Sequence, residues 1–263
     1  MLVVGEWLNA TNKAVGAAIS GRDAGFVQSL ASRQVEAGAT MLDVNAGSGH
    51  GDGPGEMEWL VRTVQKAVDV PLCIDSTDPL VIERGLAAHR GRALVNSVSG
   101  EEGRVEGVLP LVKKYGADVV GLAVGPGGMP SSAADRLQVA QLLIEAAKEY
   151  EVPPQDVYID PAVLPASVDG NAVGEVLRAI EMIKSSLGTK VILGLSNVSF
   201  GLPNRRLLNR TFLAMAVAVG LDAAILDPID VPLMSVLKAA EALLGKDEFC
   251  LAYIRAYRQG QLG

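Results

Sequence analysis

Residues 157–193, VYIDPAVLPASVDGNAVGEVLRAIEMIKSSLGTKVIL, contain one full repeat of the pattern that decides the fold. A short apolar run comes first. After a loop, a longer segment follows in which apolar residues recur at helical spacing, as Val176, Ile180 and Ile183 do. Gly188 then precedes the next apolar run, at a position where a left-handed residue commonly ends a helix. A strand, a helix and a second strand in this order predict a βαβ unit with parallel strands.

The same alternation of short apolar runs and helical segments extends from one end of the chain to the other. The predicted strands are residues 2–7, 40–45, 71–75, 93–97, 118–124, 157–160, 190–195 and 223–227. No Gly-rich dinucleotide fingerprint follows the first strand, which disfavours an open doubly wound sheet. Eight strands, each followed by a helix, predict an α/β protein with a single (β/α)8 TIM-barrel domain over residues 1–263.

Composition and charge exclude several classes of function. A formal net charge of −7 disfavours a nucleic-acid partner, because affinity for phosphates rests largely on Lys and Arg. No apolar run reaches membrane-spanning length, and the first residues lack the features of a signal peptide. Two cysteines, Cys73 and Cys250, are too few for a disulfide framework. We therefore predict a cytoplasmic enzyme that acts on a small molecule.

Polar residues close almost every predicted strand. They are Glu6 and Asn9, Asp43 and Asn45, Asp75, Asn96, Asp160, Asn197 and Asp227. Active sites of TIM barrels are built at the carboxyl ends of the strands, so we expect these side chains to meet at one mouth. A buried carboxylate is costly without a partner, and an alternative is that some of them cap helices or tie down loops.

The residue types favour an amide-like heterocycle as the ligand. A carboxylate can accept two hydrogen bonds from a ring N–H and an adjacent amine, while an Asn amide both donates and accepts. The segment 226–232, LDPIDVP, lacks the Gly-rich phosphate cradle that a phosphorylated sugar would need. Neither His50 nor His89 has a second ligand at metal-binding spacing, and no histidine is placed to activate Ser196 or another strand-end serine. We predict a site without a metal or a serine nucleophile.

Eight motifs along nearly the whole chain resemble one family. They are GEWLN at 5–9, LDVNAG at 42–47, MEWLV at 57–61, CIDST at 73–77, VNS at 95–97, YIDPAVLP at 158–165, LGLSNVS at 193–199 and LLNRTFLAMA at 207–216. Together they are similar to the methyltetrahydrofolate:corrinoid (iron-sulfur) protein methyltransferases, which are pterin-binding (β/α)8 barrels. The folate domain of methionine synthase and dihydropteroate synthase resemble the chain more distantly.

The resemblance implies roles for individual residues. Asp75, Asn96 and Asp160 would hold the pyrimidine edge of the pterin, and Asn197 would approach the methyl-bearing nitrogen as the catalytic residue. The other predicted pterin-site residues are Gly194, Ser196, Arg205, Glu6, Asn9, Asp43 and Asn45.

The resemblance also implies the partners. Methyltetrahydrofolate or tetrahydrofolate would be the substrate, and a separate corrinoid protein would present cob(I)alamin to accept the methyl group or methylcobalamin to return it. That protein would be a corrinoid iron-sulfur protein or the corrinoid protein of a demethylase system, and the enzyme would be a homodimer. The chain departs from the family at Trp7, where the first motif usually has Arg, in the loop 200–206, and in the loop AVGPGGMP at 123–130.

Two alternatives remain open at the level of sequence. A dihydropteroate synthase would need a basic site for its pyrophosphate leaving group, typically a Lys in the seventh-strand motif, where this chain has Asn197. A non-catalytic pterin-binding barrel would carry similar strand-end residues without turnover.

Overall fold

The computed structural model describes residues 1–47 and 52–263, and over this part of the chain eight parallel strands close into a barrel. Each strand pairs with the next, and β8 pairs with β1. The strands are β1 Leu2–Asn9, β2 Met41–Asn45, β3 Leu72–Asp75, β4 Leu94–Ser99, β5 Asp118–Leu122, β6 Val157–Asp160, β7 Lys190–Gly194 and β8 Ala223–Leu226. The prediction of a TIM barrel is confirmed.

Helices surround the barrel. They are α1 Lys13–Ser20, α2 Ala24–Glu36, α3 Gly53–Val64, α4 Pro79–Ala88, α5 Arg104–Tyr115, α6 Ala133–Glu149, α7 Ala172–Leu187, α8 Arg205–Ala218, α9 Val231–Leu243 and α10 Leu251–Arg258. The predicted helix of the opening motif is α7, which buries Val176, Ile180 and Ile183. It ends at Gly188 in the left-handed region, with φ 62°, as the sequence pattern predicts.

The packing forms two layers of core. Val4, Cys73 and Ile192 belong to the cluster that fills the inside of the barrel. The neighbouring residues along the strands, such as Val3 and Ile74, belong to the larger cluster that also contains the buried faces of the helices. Because side chains alternate along a strand, each strand sends one set of residues inward and the other toward the helices.

Two strand ends differ from the prediction in a way that matters for the mouth. β7 ends at Gly194, and the chain turns into a short 3-10 helix, Leu195–Ser199, so Asn197 lies beyond the strand and not at its end. β1 continues to Asn9, and its register against β2 shifts between Gly5 and Leu8. Such an irregularity bends a strand and re-aims its side chains.

Candidate active site

A cavity of about 750 Å³ opens at the carboxyl ends of the strands. Its position follows from the alternation of side chains. Asp43, Asp75 and Asn96 each lie two residues beyond an inward-facing core residue, on strands β2, β3 and β4. Among the residues that line it are Glu6, Asn9, Asp43, Asp75, Asn96, Asp160, Gly194, Ser196, Asn197 and Arg205.

Asn45 is the one predicted pterin-site residue that does not line the cavity. Its Nδ2 donates a hydrogen bond of 2.8 Å to Oδ2 of Asp75, and its Oδ1 accepts one of 2.7 Å from the backbone N–H of Gly47. Asn45 therefore orients the Asp75 side chain from outside the cavity. His50, which the sequence analysis excluded as a ligand, lies outside the described residues.

Asp43, which is buried, and Asp75, which is partly buried, form a pair of acidic side chains on adjacent strands. Asp43 is only 2% exposed, and within residues 1–47 and 52–263 its Oδ1 has no hydrogen-bond partner. Burial and the nearby Asp75 raise the pKa of Asp43 well above its usual range. Burial also raises the pKa of Asp75, against the hydrogen bond from Asn45. The pair therefore favours retaining a proton.

Asp160, at the end of β6, is a further buried carboxyl of the mouth. It accepts hydrogen bonds from the backbone N–H groups of Ala162, at 2.8 Å, and Gly194, at 3.4 Å. Burial nevertheless raises the pKa of Asp160 to about 6. Arg136, almost fully buried, donates to the carbonyl oxygen of Pro161 at 2.7 Å and braces the loop that follows.

Glu6 and Arg205 face each other across Ser196. The Ser196 hydroxyl lies 2.9 and 3.0 Å from the two carboxylate oxygens of Glu6 and donates to them. Arg205 donates to the Ser196 carbonyl oxygen at 2.8 Å and to the Ser199 hydroxyl at 3.0 Å. Burial, and to a smaller extent the charge of Asp227, raises the pKa of Glu6 to about 7. Glu6 therefore exchanges its proton near neutral pH.

The Asn197 side chain is exposed toward the mouth from the 3-10 helix. In the described part of the chain its amide group makes no hydrogen bond, while the backbone of the same helix is held by Arg205. A Cβ atom added at Gly194 would lie 3.0 Å from Nδ2 of Asn197. Gly194 thus makes room for an amide that is free to contact a ligand, which argues against a loop-tying role.

The structure adds site residues that sequence reasoning did not select. Trp7 lines the cavity and donates from Nε1 to Asp227 at 2.6 Å. Its backbone N–H is bound by Oε1 of Gln34, 3.0 Å away, which compensates the irregular register of β1. Asn209, on α8, also lines the cavity and has a buried Oδ1 without a partner among the described residues. The available signal was the run of polar residues at 209–211 inside the otherwise apolar stretch 207–216.

The histidine that the structure describes has a structural role. Nε2 of His89 accepts a hydrogen bond of 3.1 Å from the N–H of Leu72, at the start of β3 and away from the mouth. Burial lowers the pKa of His89, which keeps the ring neutral and able to accept. Over residues 1–47 and 52–263, no three His, Cys, Asp or Glu side chains are grouped as a metal site would require. None of the helices in the same residues has the length and apolar character to span a membrane.

Comparison with known sequences identifies similar proteins. A family model for pterin binding enzymes matches residues 5–227. The methylcorrinoid:tetrahydrofolate methyltransferase of Eubacterium limosum is 35% identical over 266 aligned residues, covering 100% of this chain and 98% of that protein. The methionine synthase of Mycobacterium tuberculosis is 31% identical over 241 residues, covering 86% of this chain but 20% of the larger protein.

Solved structures share the fold. A dihydropteroate synthase of Clostridium difficile, determined in the presence of pteroic acid, superposes with a TM-score of 0.71 at 20% identity, covering 92% of this chain and 96% of that one. A dihydropteroate synthase of Yersinia pestis gives a TM-score of 0.67 at 18% identity, with 92% and 93% covered. At these identities the likeness shows the barrel architecture and nothing finer.

Proposed function

Since this chain belongs to the family of pterin-binding enzymes, we propose that it moves a methyl group between methyltetrahydrofolate and the cobalt of a corrinoid carried by a second protein. The chain is a methyltransferase. The observation that carries the proposal is its full-length similarity to the Eubacterium limosum enzyme, joined to a cavity whose polar groups suit a pterin. Residues 1–263 form one pterin-binding domain in this proposal.

The pterin fits the mouth through its pyrimidine edge. That edge presents ring N–H and amine donors next to acceptors, and the mouth supplies the carboxyls of Asp75 and Asp160, with the amide of Asn96 beside Asp75. Asp75 and Asn96 are direct register partners on β3 and β4, so they can bind neighbouring atoms of one ring. Because these carboxyls are largely shielded from water, donors from the ligand supply hydrogen bonds that solvent does not, and such a bond is strongest where the carboxyl is ionised.

The chemistry of the transfer assigns a role to Asn197. A methyl group is transferred poorly from a tertiary amine, because the departing nitrogen would become an amide-like anion. Transfer becomes easier when that nitrogen gains a proton or a strong hydrogen bond. The Asn197 amide faces the mouth, and its carbonyl oxygen can accept a hydrogen bond from the protonated nitrogen. An interaction that strengthens as charge develops lowers the barrier as well as improving binding. In the reverse direction the same contact steadies the nitrogen that receives the methyl group.

The corrinoid partner is proposed to dock over the open mouth. When bound to its own protein, the corrinoid supplies a cobalt that donates or accepts the methyl group. This chain contributes the orientation of the pterin and an accessible opening. Exposed apolar side chains surround that opening on the segments after β3, β5, β6 and β7; they are Leu80, Met129, Val168 and Phe200. Exposed apolar groups around a polar site are typical of a surface that binds another protein.

The partner is a corrinoid iron-sulfur protein or the corrinoid protein of a demethylase system, and the enzyme is a cytoplasmic homodimer in this proposal. The net charge of −7 and the free state of the cysteines among the described residues support an enzyme of a reducing compartment that does not bind nucleic acid.

The test is direct methyl transfer. The purified chain, methyltetrahydrofolate and free cob(I)alamin should yield methylcobalamin and tetrahydrofolate. The absorption spectrum of the cobalamin reports its methylation. Binding of the folate without any methylated product, with free cobalamin or with the native corrinoid protein, would instead identify a non-catalytic pterin-binding barrel. The chain should form no dihydropteroate from a dihydropterin pyrophosphate and p-aminobenzoate, because the seventh-strand motif holds Asn197 in place of a lysine.

A further inference from the structure

A second cavity, of about 630 Å³, adjoins the mouth where β8 meets β1. We call it the rim groove and define it by Trp7, Phe26, Arg33, Arg206 and Val231. Trp7 and Arg206 also line the active-site cavity, so the two spaces are continuous. The rest of the groove runs down the outside of the barrel beside α2 and the start of α9.

Three arginines and two aspartates line the rim groove, so its formal charge is positive by one. Asp227 already accepts hydrogen bonds from Trp7 and from the N–H of Ile229, and Asp230 is paired with Arg210 at 2.6 Å. Within residues 1–47 and 52–263, no carboxylate forms an ion pair with the two remaining cations, Arg33 and Arg206. The groove therefore offers two guanidinium groups without an ion-pair partner to an anionic ligand, and the single charge of Asp227 offsets them only in part.

The walls of the rim groove are apolar between these cations. Phe26 and Val231 are 39% and 47% exposed, and Trp7 lines both cavities at the junction with the mouth. Arg206 lies at this inner end. Arg33 follows Phe26 by seven residues, about 10 Å farther along α2. A ligand that carries an aromatic group followed by anionic groups would match this order of apolar and cationic side chains.

The barrel geometry directs one end of the pterin toward the rim groove. In the closed order, β3 and β4 lie across the barrel from β7 and β8. If Asp75 and Asn96 hold the pyrimidine edge, the far end of the bicycle points to the β7, β8 and β1 side. In a folate, the aminobenzoyl-glutamate tail is attached at that far end, beside the methyl-bearing nitrogen.

We propose that the rim groove binds the aminobenzoyl-glutamate tail of the folate and that Arg206 and Arg33 make the enzyme prefer polyglutamylated substrates. This inference rests on the proposed pterin site. The aminobenzoyl ring packs on Trp7, Phe26 and Val231, the first glutamate reaches Arg206, and the later glutamates reach Arg33. A tail laid sideways into the groove leaves the space above the methyl group open for the corrinoid protein.

The experiment measures dissociation constants by calorimetry for three probes. They are 5-methyltetrahydrofolate with one glutamate, the same compound with three glutamates, and 5,6-dimethyltetrahydropterin, which lacks the tail. The native enzyme should bind the triglutamate more tightly than the monoglutamate. Arg206→Gln should weaken binding of both folates about fivefold, whereas Arg33→Gln should weaken only the triglutamate by about that factor, the size expected for an exposed ion pair.

The controls separate this inference from the proposed function. Arg258→Gln removes an equally exposed cation on α10 and should leave all three affinities unchanged. Both groove variants should bind the tailless pterin as the native enzyme does. Equal affinity of the native enzyme for one and three glutamates, or an unchanged triglutamate affinity in Arg33→Gln, would overturn the groove as a tail site. Failure of the native enzyme to bind any of the three probes would overturn the pterin site itself.

Discussion

The carboxyls of Asp75 and Asp160 differ from surface carboxylates in that the barrel has already removed most of their water. Burial raises the pKa of both groups against the hydrogen bonds that they already accept, so each one is costly to ionise until further donors are supplied. A ligand with ring N–H and amine groups supplies such donors. These two residues are therefore where the free energy of pterin binding should be concentrated.

The first prediction concerns these two residues. Asp75→Ala or Asp160→Ala should weaken binding of methyltetrahydrofolate by about tenfold or more, because a lost hydrogen bond to a charged group costs about 1.5–3 kcal/mol. Calorimetric titration of the folded variants measures this effect. Asp69→Ala, at an exposed position before β3, is the matched control and should bind normally. Normal affinity in both site variants would require the pterin site to lie elsewhere.

The second prediction separates catalysis from binding at Asn197. Asn197→Ala should lower the rate of methyl transfer by about 10²–10³ and weaken ground-state binding far less, because its contact strengthens as the nitrogen gains charge. Single-turnover transfer to cob(I)alamin at saturating folate gives the rate, and a melting curve reports folding.

The competing interpretation of Asn197 is an amide that ties down its loop. That role predicts a lower melting temperature with a normal rate per folded molecule. The exposed side chain and the absence of a hydrogen-bond partner for its amide among the described residues favour the catalytic assignment. A normal rate of methyl transfer in a destabilised Asn197→Ala protein would contradict the catalytic assignment.

At the scale of elements, the loops after the strands hold the mouth in place through helix ends. Asp230 caps α9 and also pairs with Arg210 on α8, with the Asp230 side chain 5% exposed. The loop from β8 therefore links two neighbouring helices. The sequence LDPIDVP contains no phosphate cradle. It also gives no sign of this ion pair, because Arg210 is 20 positions away from Asp230.

The third prediction tests this link. Asp230→Ala should lower the free energy of unfolding by about 2–4 kcal/mol, since it removes a cap and leaves a half-buried cation unpaired. Asp23→Ala removes a comparable cap from α2, at an exposed residue without an ion pair, and should cost about 1 kcal/mol. Urea denaturation of both variants checks the difference. Equal losses would show that the ion pair contributes nothing measurable.

At the scale of the whole molecule, the buried and partly buried carboxyls of the mouth should make stability depend on pH. The folded pKa values of Glu6, about 7, and Asp160, about 6, lie above those of the unfolded chain. Between the unfolded and folded pKa values the native state binds more protons, so stability increases as pH falls through the folded pKa. His89 has the opposite effect on stability. Burial lowers its pKa in the folded state, so below the usual pKa of histidine its contribution to stability decreases as pH falls.

The fourth prediction follows from these signs. Without ligand, the enzyme should be more stable near about pH 6 than near about pH 8, by on the order of 1–2 kcal/mol. Glu6→Gln should raise stability at the higher pH and flatten the dependence. Urea midpoints over this range provide the measurement, and an unchanged slope in Glu6→Gln would remove Glu6 as its source.

The fifth prediction concerns metals. Thorough chelation, or addition of zinc, should leave the rate of methyl transfer unchanged, since neither the sequence spacing nor the described residues provide a metal-ligand group. Chelation is followed by single-turnover assay with free cob(I)alamin, so that a partner's own metals play no part. Loss of activity that one added metal restores would contradict a metal-free mechanism.

The sequence alone determined the barrel and the composition of its mouth. Alternating apolar runs and helical stripes are local patterns, and parallel strands in a closed barrel must end at the same face. Asp75, Asn96 and Asp160 could therefore be expected to meet before any contact was known.

Only the tertiary structure decided how the mouth residues behave. Asn45 donates a hydrogen bond to Asp75, and Asn197 lies on a 3-10 helix beyond β7. Burial raises the pKa of Glu6 to about 7. The rim groove joins Trp7 and Arg206, which lie far apart in the chain. Desolvation, hydrogen-bond partners and cavities depend on which distant segments pack together, and local sequence patterns carry no record of that packing.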